Sequence, residues 1–448
     1  MNRLLLFAAM LIPTMPALAD MAAAQGAAPS VQVLAEEDVY TFTPPNNGSG
    51  PMWSFGCTTI ARLGERVVVS EMETGEGVPR LCNTKWRLAE RTDSGWKVFA
   101  EAEGYRQREP CLLAALSDHE FFLNVNDSLM PPGTEYGPCE PHLLAFDLNA
   151  LDRPPRKLMP EWAGETYFTD HSYRGYAADP ARRELLMLNI NAKTSVEHWA
   201  LLDADGKTLK NGGITFPIRS CYPQVALRNR VGYVLAIGDI VEPNEEWRSY
   251  KFEQTQQKWD YVFRILYFTS SPNLMEQDFG PAIEIANVDK TGGHISNQDL
   301  WISPEGDAYI LYTEREVASA LIRDKFVPGG SLIGSLHLAV VKNGEVVQHK
   351  VLVQGTETVQ PGHARLHSTP DGKVYALLYI SGAEHPNQLM QVYPLLENPP
   401  TAPVPFKTPF GSYLLASERA GNAPSNIIDV YGHSTSGTTL SYAQVLIE

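Results

Sequence analysis

Two stretches of the chain share one order of apolar and polar positions. Residues 293–312 and 362–379 each begin with a run that mixes apolar and polar side chains, and each ends with an apolar run that closes on Leu-Tyr. Between the two runs stands Pro-Glu-Gly (304–306) in one stretch and Pro-Asp-Gly (370–372) in the other. Proline presets the backbone of a turn and glycine tolerates positive φ, so each stretch predicts two antiparallel strands joined by a tight turn.

Weaker copies of the same strand–turn–strand pattern recur along the rest of the chain. The seven predicted hairpins cover residues 55–71, 109–126, 171–191, 221–239, 293–314, 362–381 and 410–431. The intervals between them hold further short strands, such as 199–203 and 338–341. Four strands in each of seven units predict an all-β fold, a seven-bladed β-propeller with four-stranded antiparallel blades. Ring closure removes exposed strand edges, which a pair of sandwiches or a set of unrelated hairpins would keep.

The longest interruption of this pattern is the stretch 243–267, which contains several Trp and Tyr residues. We expect these aromatic side chains to pack an extended hairpin rather than to form a binding site.

The first residues have the order of an export signal. Met1-Asn2-Arg3 is a short positive region, residues 4–18 are almost entirely apolar, and Ala17-Leu18-Ala19 is a small-residue cleavage site. The apolar run is too short and too interrupted by proline to span a bilayer. We therefore predict a signal peptide at 1–19, a flexible leader at 20–30 and a single propeller domain at 31–448. The expected location is periplasmic or secreted, without a membrane span, and the expected state is a monomer.

Composition narrows the range of partners. Hydrophobic residues make up 44% and charged residues 20% of the 448 positions, which is the balance of a packed globular chain. Lys plus Arg number 36 and Asp plus Glu number 52, a formal net charge of −16. Nucleic acid and anionic lipid both require basic surfaces, so we expect neither as a partner. The 34 Gly and 33 Pro favour turns, which argues against helical solenoids and coiled coils.

Five cysteines stand at positions 57, 82, 111, 139 and 221. Export would permit disulfides, and Cys57 with Cys82, or Cys111 with Cys139, are the local pairings that sequence proximity suggests. The other interpretation is that most of them are small buried side chains. Their spacing is not that of a zinc site or a redox motif.

Candidate site residues follow from the predicted hairpins. In a propeller the innermost strands begin, and the next strands end, at the same face of the ring. Strand starts supply Trp53, Arg108, Glu109, His171, Tyr173, Arg174, Tyr222, His294, Asn297, His363 and Arg365. Strand ends supply Glu71, Glu73, Asn124, Asn126, Asn189, Asn191 and Asp239. For each of them a structural role is the alternative: a histidine bonded within a turn, an asparagine that caps a turn, or Arg174 paired with Asp170.

The turns at 303–306 and 369–372, each followed by an apolar strand, resemble those of BNR-repeat propellers. The order His171-Ser-Tyr-Arg174 and the pair Gly293-His294 look like the branch that contains ulvan lyases, rhamnose–glucuronate lyases and related rhamnosidases. This resemblance implies a secreted seven-bladed propeller that acts on acidic poly- or oligosaccharides containing uronic acid. The aspartate box of sialidases is not reproduced, which weakens a sialidase interpretation.

Three activities fit the candidate residues. A uronate lyase needs a cation on the carboxylate, a base for the C5 proton and an acid for the leaving oxygen. The residues predicted for these catalytic roles are His171, His294, Tyr222 and Arg174. The residues predicted to bind substrate are Arg108, Tyr173, Asn191, Asn297, His363 and Arg365.

The alternatives use other groups of the same face. A glycoside hydrolase would use two carboxylates, for which Glu73, Glu109 and Asp239 are available. A noncatalytic glycan-binding propeller would need only aromatic and amide side chains. No cofactor is required by any of these activities, although His with Asn and Asp could hold Ca²⁺ or Zn²⁺.

Overall fold

The computed structural model describes residues 28–54, 57–132, 134–171, 173–434 and 437–448. The predicted signal peptide, most of the predicted leader and the first two residues of the predicted hairpin 55–71 lie outside these ranges. No helix in the part of the chain that is described is long and apolar enough to cross a membrane.

The described strands form seven four-stranded antiparallel sheets, the blades, each running from an innermost to an outermost strand. Blade 1 consists of Ile60–Leu63, Arg66–Thr74, Thr84–Thr92 and Gly95–Glu101. Blade 2 consists of Leu112–Ala115, Glu120–Ser128, Cys139–Asp147 and Arg156–Leu158. Blade 3 consists of Gly175–Asp179, Glu184–Ile190, Glu197–Asp203 and Thr208–Ile214.

The remaining blades follow the same order. Blade 4 consists of Ser220–Arg228, Val231–Gly238, Ile265–Ser271 and Ile283–Asn287. Blade 5 consists of His294–Ile302, Ala308–Arg315, Gly334–Lys342 and Glu345–Gln354. Blade 6 consists of Gln360–Ser368, Val374–Ser381, Asn387–Tyr393 and Thr401–Pro403. Two 3₁₀ turns, Asp289–Thr291 and Glu418–Ala420, lie between strands.

Blade 7 joins the two ends of the chain. Its strands are Ser412–Leu415, Ile427–His433, Thr439–Ile447 and, outermost, the first strand of the chain, Val31–Thr41. Val31 pairs with Ile447 and Thr41 with Thr439, so the amino-terminal strand completes the last blade. Innermost strands of successive blades contact each other, and blade 7 contacts blade 1. The predicted seven-bladed propeller and its seven inner hairpins are confirmed.

The core lies between neighbouring blades rather than in one central mass. The two inner strands of blade 3 are buried along their whole length, which is why they read as continuous apolar runs. Their side chains Leu186 and Leu188 pack with Val225 and Val234 of blade 4 in one cluster. Each hairpin is thus apolar on both faces because a blade lies on either side of it.

The prediction that the longest insertion, residues 243–267, forms an extended hairpin is wrong in part. Within blade 4 the insertion forms a two-stranded ribbon, Ile240–Val241 with Tyr261–Val262, that carries helix α1, Glu245–Thr255. Asn244 caps this helix by accepting bonds from the backbone N–H groups of Glu246 and Trp247. Asn-Glu-Glu at the start of the stretch was the available helix signal. A second helix, α2, spans Ala320–Phe326 in blade 5.

The centre of the ring is closed at the lower face, opposite the face where the innermost strands begin. Residues 416–426 of blade 7, here named the axial segment, cross it. Arg419 of this segment donates to Asp299 Oδ1 at 2.5 Å and to the carbonyl of Val225 at 3.1 Å. The side chains of Arg419 and Asp299 are 7% and 3% exposed, so their ion pair is buried.

The axial segment also reaches the other blades. Asn422 Oδ1 accepts from the backbone N–H of Arg62 in blade 1, and Ser425 donates its own N–H to the carbonyl of Ser368 in blade 6. Gly421 has φ of +83°, and a Cβ there would stand 1.9 Å from the carbonyl oxygen of Ala115 in blade 2. Only glycine fits this contact.

The predicted local cysteine pairs do not match the contacts in the fold. All five cysteines are buried free thiols. The two thiols that touch are Cys82 of blade 1 and Cys139 of blade 2, which share a side-chain hydrogen bond. The loop before Thr84 meets blade 2 through the bridge from Thr84 to Gln107, and this cross-blade contact brings the two together. Sequence proximity could not indicate it.

We expect Asp299→Ala to destabilise the protein by about 3–5 kcal/mol, because it leaves the guanidinium of Arg419 buried without its carboxylate. Urea unfolding followed by tryptophan fluorescence measures this difference. Asp307→Ala is the matched control in the same blade: its pair with the half-exposed Lys342 should contribute at most about 1 kcal/mol. Equal effects of the two substitutions would contradict a central role for the buried pair.

We also expect stability to fall on acidification. His363 and His367 bond to the carbonyls of Tyr413 and Ser425, each at 2.7 Å, and burial lowers the pKa of both rings, with the charge of Arg365 adding to the effect at His363. The unfolded chain binds these protons below about pH 6.5, so stability present above that pH is lost as the pH falls toward the lowered pKa values.

Urea midpoints at about pH 7.5 and about pH 5.5 test this expectation. His363→Gln and His367→Gln should each reduce the loss between the two pH values. A midpoint that stays constant or rises on acidification would rule the explanation out.

Candidate functional site

A narrow cleft on the upper face, where the innermost strands begin, has a cavity volume of about 20 Å³ and is lined by aromatic and charged side chains from the starts of blades 1 to 4. The lining residues are Trp53, Ser54, Glu109, Pro110, Leu112, Tyr173, Arg174 and Tyr222. The rings of Tyr173 and Tyr222 meet edge to face with centroids 4.7 Å apart. The ring of Trp53 lies 6.0 Å from that of Tyr222.

The backbone holds the two tyrosines in unusual conformations. Tyr173 has φ of +46° and Tyr222 has φ of +55°, which bulky side chains rarely adopt. Tyr222 lies where the pairing of the first two strands of blade 4 is interrupted between Cys221 and Gln224, and its carbonyl accepts from Asn297 Nδ2 at 2.9 Å. Bulges and positive φ redirect side chains at functional sites, and both do so here, aiming the phenols into the cleft.

His171 lies at one wall of the cleft, held by a buried carboxylate. Its Nδ1 is 2.7 Å from Glu109 Oε1, and its ring is 4.0 Å from that of Tyr173 and 6.0 Å from that of Trp53. Burial raises the pKa of Glu109, but the bond and charge of His171 and the charges of Arg174 and Arg108 outweigh it, so the net pKa is lowered. The carboxylate only accepts, so Nδ1 of His171 donates this bond.

Arg219, which the sequence analysis missed, lies beside Tyr173 of the cleft. Its guanidinium donates to the backbone carbonyl of Asp239 at 2.7 Å, forms an ion pair with Oδ2 of the same residue at 2.8 Å, and lies 5.1 Å from the ring centroid of Tyr173. A hydrogen-bonded chain runs from Arg219 to the hydroxyl of Tyr173 and on to Tyr222. Arg219 directly precedes the first strand of blade 4, so the rule that selected residues before innermost strands could have found it.

Both cleft phenols remain protonated near neutral pH. Burial raises the pKa of Tyr173 and of Tyr222, and the nearby carboxylate of Asp239 adds to the shift in each. A protonated phenol is a hydrogen-bond donor and a proton source, and an imidazole nitrogen can accept a proton. The cleft therefore holds an acid, a base and a cation together.

His294 is connected to the cleft through one further ring. Phe263 lies 5.8 Å from the ring of Tyr222 and 5.9 Å from that of His294. His294 reaches solvent at the start of blade 5, while the protein around it and the charge of Arg315 lower the pKa of its imidazole. The ring is therefore neutral at neutral pH.

Arg174 lies beneath the cleft rather than in its opening. Its side chain is 2% exposed and donates to the carbonyls of Asn124 and Pro110 at 2.7 and 2.8 Å. Its Nε is 3.9 Å from Glu109 Oε2. The guanidinium thus fixes the floor of the cleft and the position of the carboxylate that holds His171.

The other predicted substrate-binding residues have protein partners. Arg108 bonds to Asp170 at 2.8 Å at the cleft side of blade 2. Arg365 is buried and donates to the carbonyls of Gln298 and Ala364, and His363 bonds to the carbonyl of Tyr413. Asn191 accepts from the N–H groups of Lys193 and Thr194, so it caps a turn. Their predicted roles toward a ligand stay predictions.

The carboxylates considered for hydrolysis each contact a basic side chain. Glu73 bonds to Arg87 at 2.9 Å within blade 1, Glu109 to His171, and Asp239 to Arg219. Among the residues that are described, no group of three or more His, Cys, Asp or Glu side chains is arranged to hold a metal ion.

No sequence profile of a known protein family matches the chain, and no curated protein resembles it in sequence. An ulvan lyase from a family of polysaccharide lyases, solved with a bound glycan of glucuronic acid and 3-sulfated rhamnose, is 9% identical with a TM-score of 0.55, covering 93% of this chain and 95% of that one. An α-L-arabinanase of Penicillium chrysogenum complexed with arabinobiose is 11% identical with a TM-score of 0.44, covering 93% and 98%. An α-L-arabinofuranosidase of Fusarium graminearum is 7% identical with a TM-score of 0.41, covering 93% and 98%.

Identities this low establish a shared fold and not a shared activity. The resemblance to ulvan lyases therefore holds for the propeller architecture, and no sequence match supports the BNR repeat.

Proposed function

We propose that the protein is a carbohydrate-active propeller whose upper-face cleft cleaves uronic-acid glycans by β-elimination. The observation that supports this proposal is the meeting of three chemical roles in one cleft: the imidazole of His171 held by Glu109, the protonated phenols of Tyr173 and Tyr222, and the guanidinium of Arg219. The ulvan lyase of similar fold was solved with a glucuronic-acid glycan, the substrate class proposed here.

Each group has a role in the reaction. Nε2 of His171 removes the C5 proton of the uronate, the electrons of that C–H bond form the C4–C5 double bond, and the C4–O bond breaks as a phenol protonates the leaving oxygen. Arg219 neutralises the substrate carboxylate, which stabilises the negative charge that develops beside C5. Proton exchange with water then returns His171 and the tyrosine to their starting states.

Arg219 suits the carboxylate better than Arg174, to which the sequence analysis gave this role. The side chain of Arg219 is 29% exposed, whereas that of Arg174 is 2% exposed and bonded to carbonyls. A guanidinium with exposed N–H groups can receive a carboxylate in a bidentate contact, and a buried one with its donors occupied cannot.

Hydrolysis and simple glycan binding are the alternatives. Hydrolysis requires a carboxylic acid and a carboxylate on opposite sides of the bond, but Glu109 is bonded to His171 and Asp239 is paired with Arg219, so neither carboxylate stands free for these roles. Binding without catalysis would use the same aromatic walls. The products of the reaction distinguish all three.

We expect incubation with a panel of uronate glycans to give unsaturated products that absorb in the ultraviolet. His171→Ala should lower kcat roughly 10²–10⁴-fold, the usual contribution of a general base. His119→Ala, which alters a surface histidine paired with Asp147, is the matched control and should change nothing. Cleavage without ultraviolet absorbance would indicate a hydrolase, and binding without cleavage a glycan-binding protein.

Arg219→Ala should lower kcat/KM roughly 10²–10³-fold, because the developing charge loses its cation, and should also lower the melting temperature, because the buried carboxylate of Asp239 loses its partner. Arg219→Lys should recover only part of the activity, since an ammonium does not reproduce the planar contact. Arg174→Met should mainly lower the melting temperature. If the Arg174→Met protein is folded but inactive while the Arg219→Ala protein is active, Arg174 and not Arg219 neutralises the substrate carboxylate.

A further inference from the structure

The insertion of blade 4 lies beside the cleft. It connects the second strand of the blade, which ends at the upper face, to the third, which begins there, and consists of the ribbon Ile240–Val241 with Tyr261–Val262 and of helix α1. Two of its aromatic residues are structural: Trp247 and Tyr250 pack on Phe326 of helix α2, with ring centroids 5.9 and 5.4 Å apart.

Two other aromatic residues of the insertion face solvent. Trp259 is 76% exposed and Tyr261 is 41% exposed. Their rings are stacked, with centroids 6.4 Å apart and an angle of 28° between the planes. Trp259 and Tyr261, here named the aromatic platform, thus form one exposed pair of stacked rings on the insertion.

The platform is continuous with the cleft through Arg219. The guanidinium of this residue lies 5.7 Å from the ring centroid of Tyr261 and 5.1 Å from that of Tyr173. A carboxylate bound by Arg219 therefore has the phenols of the cleft on one side and the platform on the other.

A buried ion network fixes the platform in place. Asp260, between the two platform residues, accepts from Lys251 at 2.6 Å, and Lys251 also bonds to Glu242 at 2.9 Å. Arg264 pairs with the same Glu242, whose side chain is fully buried. The rings are therefore held beside the cleft before any ligand binds, which reduces the entropy lost on binding.

We propose that the aromatic platform binds a sugar ring of the glycan next to the uronate that Arg219 holds. The C–H face of a pyranose is apolar and of a size to lie on the exposed face of an aromatic ring such as that of Trp259. The occupant is thus a chain of sugars that extends from the cleft across Arg219 to the insertion, and the protein favours long glycans over short ones. This inference rests on the proposed function, since it names a subsite of the same cleft.

The test compares a uronate polymer with the shortest oligosaccharide that the protein cleaves. Trp259→Ala and Tyr261→Ala should each raise KM for the polymer about 3- to 10-fold and leave kcat unchanged, since one stacking contact contributes about 0.5–1.5 kcal/mol. The KM for the shortest substrate should not change. Trp259→Phe, which keeps an aromatic face, should recover most of the affinity. Phe252→Ala, a change at another exposed aromatic residue of the insertion, is the matched control.

Gel retardation in the presence of the polymer separates this inference from the proposed function. If the wild type cleaves the polymer and both platform variants keep its KM, the proposed subsite is wrong and the proposed lyase activity stands. Retardation without cleavage, abolished by Trp259→Ala, would support the subsite and overturn the lyase. No retardation of the wild type, or a dimer that Trp259→Ala dissociates, would overturn the subsite.

Discussion

The buried ion pair between Arg419 and Asp299 is the contact on which the closed ring depends. Seven blades arranged around an axis leave a central space that their own innermost strands do not fill, and the axial segment fills it from the lower face. Arg419 reaches Asp299 in blade 5 and the carbonyl of Val225 in blade 4. Asp299 Oδ2 also accepts from the backbone of Leu366 in blade 6, so one carboxylate connects three blades. A charge in this position is tolerated because each of its partners is fixed by a different blade.

The candidate chemistry lies on the upper face. There, residues at or just before the starts of the innermost strands of blades 1 to 4 converge on one cleft. Local backbone geometry decides which side chains line the cleft. Tyr173 and Tyr222 both have positive φ values, and Asn297 of blade 5 donates a hydrogen bond to the carbonyl of Tyr222. The cleft is therefore a product of interruptions in regular strands, held in place by the regular strands around them.

Most of the fold could be predicted from the sequence because hairpins are local. Pro-Glu-Gly and Pro-Asp-Gly determine their own turns, and the apolar runs on either side determine the strands. The candidate site was predicted less completely. His171, Tyr173, Tyr222 and His294 do meet on one face, since position relative to a strand start is a local property. Arg219 was missed because it lies two positions before the start of the predicted hairpin 221–239. The contact of Cys82 with Cys139 depends on how blade 1 packs against blade 2, and no local sequence pattern indicates that packing.

The arginines illustrate the limit of residue type as a guide. Arg174, Arg219 and Arg365 all stand near the start of an innermost strand, and by sequence each could receive an anionic ligand. Arg174 and Arg365 give their donors to backbone carbonyls and are buried, while Arg219 has a carboxylate partner on one side and keeps an exposed face beside two aromatic rings. A guanidinium has five N–H donors, and its partners decide whether it supports the cleft or can take part in its chemistry. The same reasoning separates His363, bonded into a blade contact, from His171, whose carboxylate orients a ring toward the cleft.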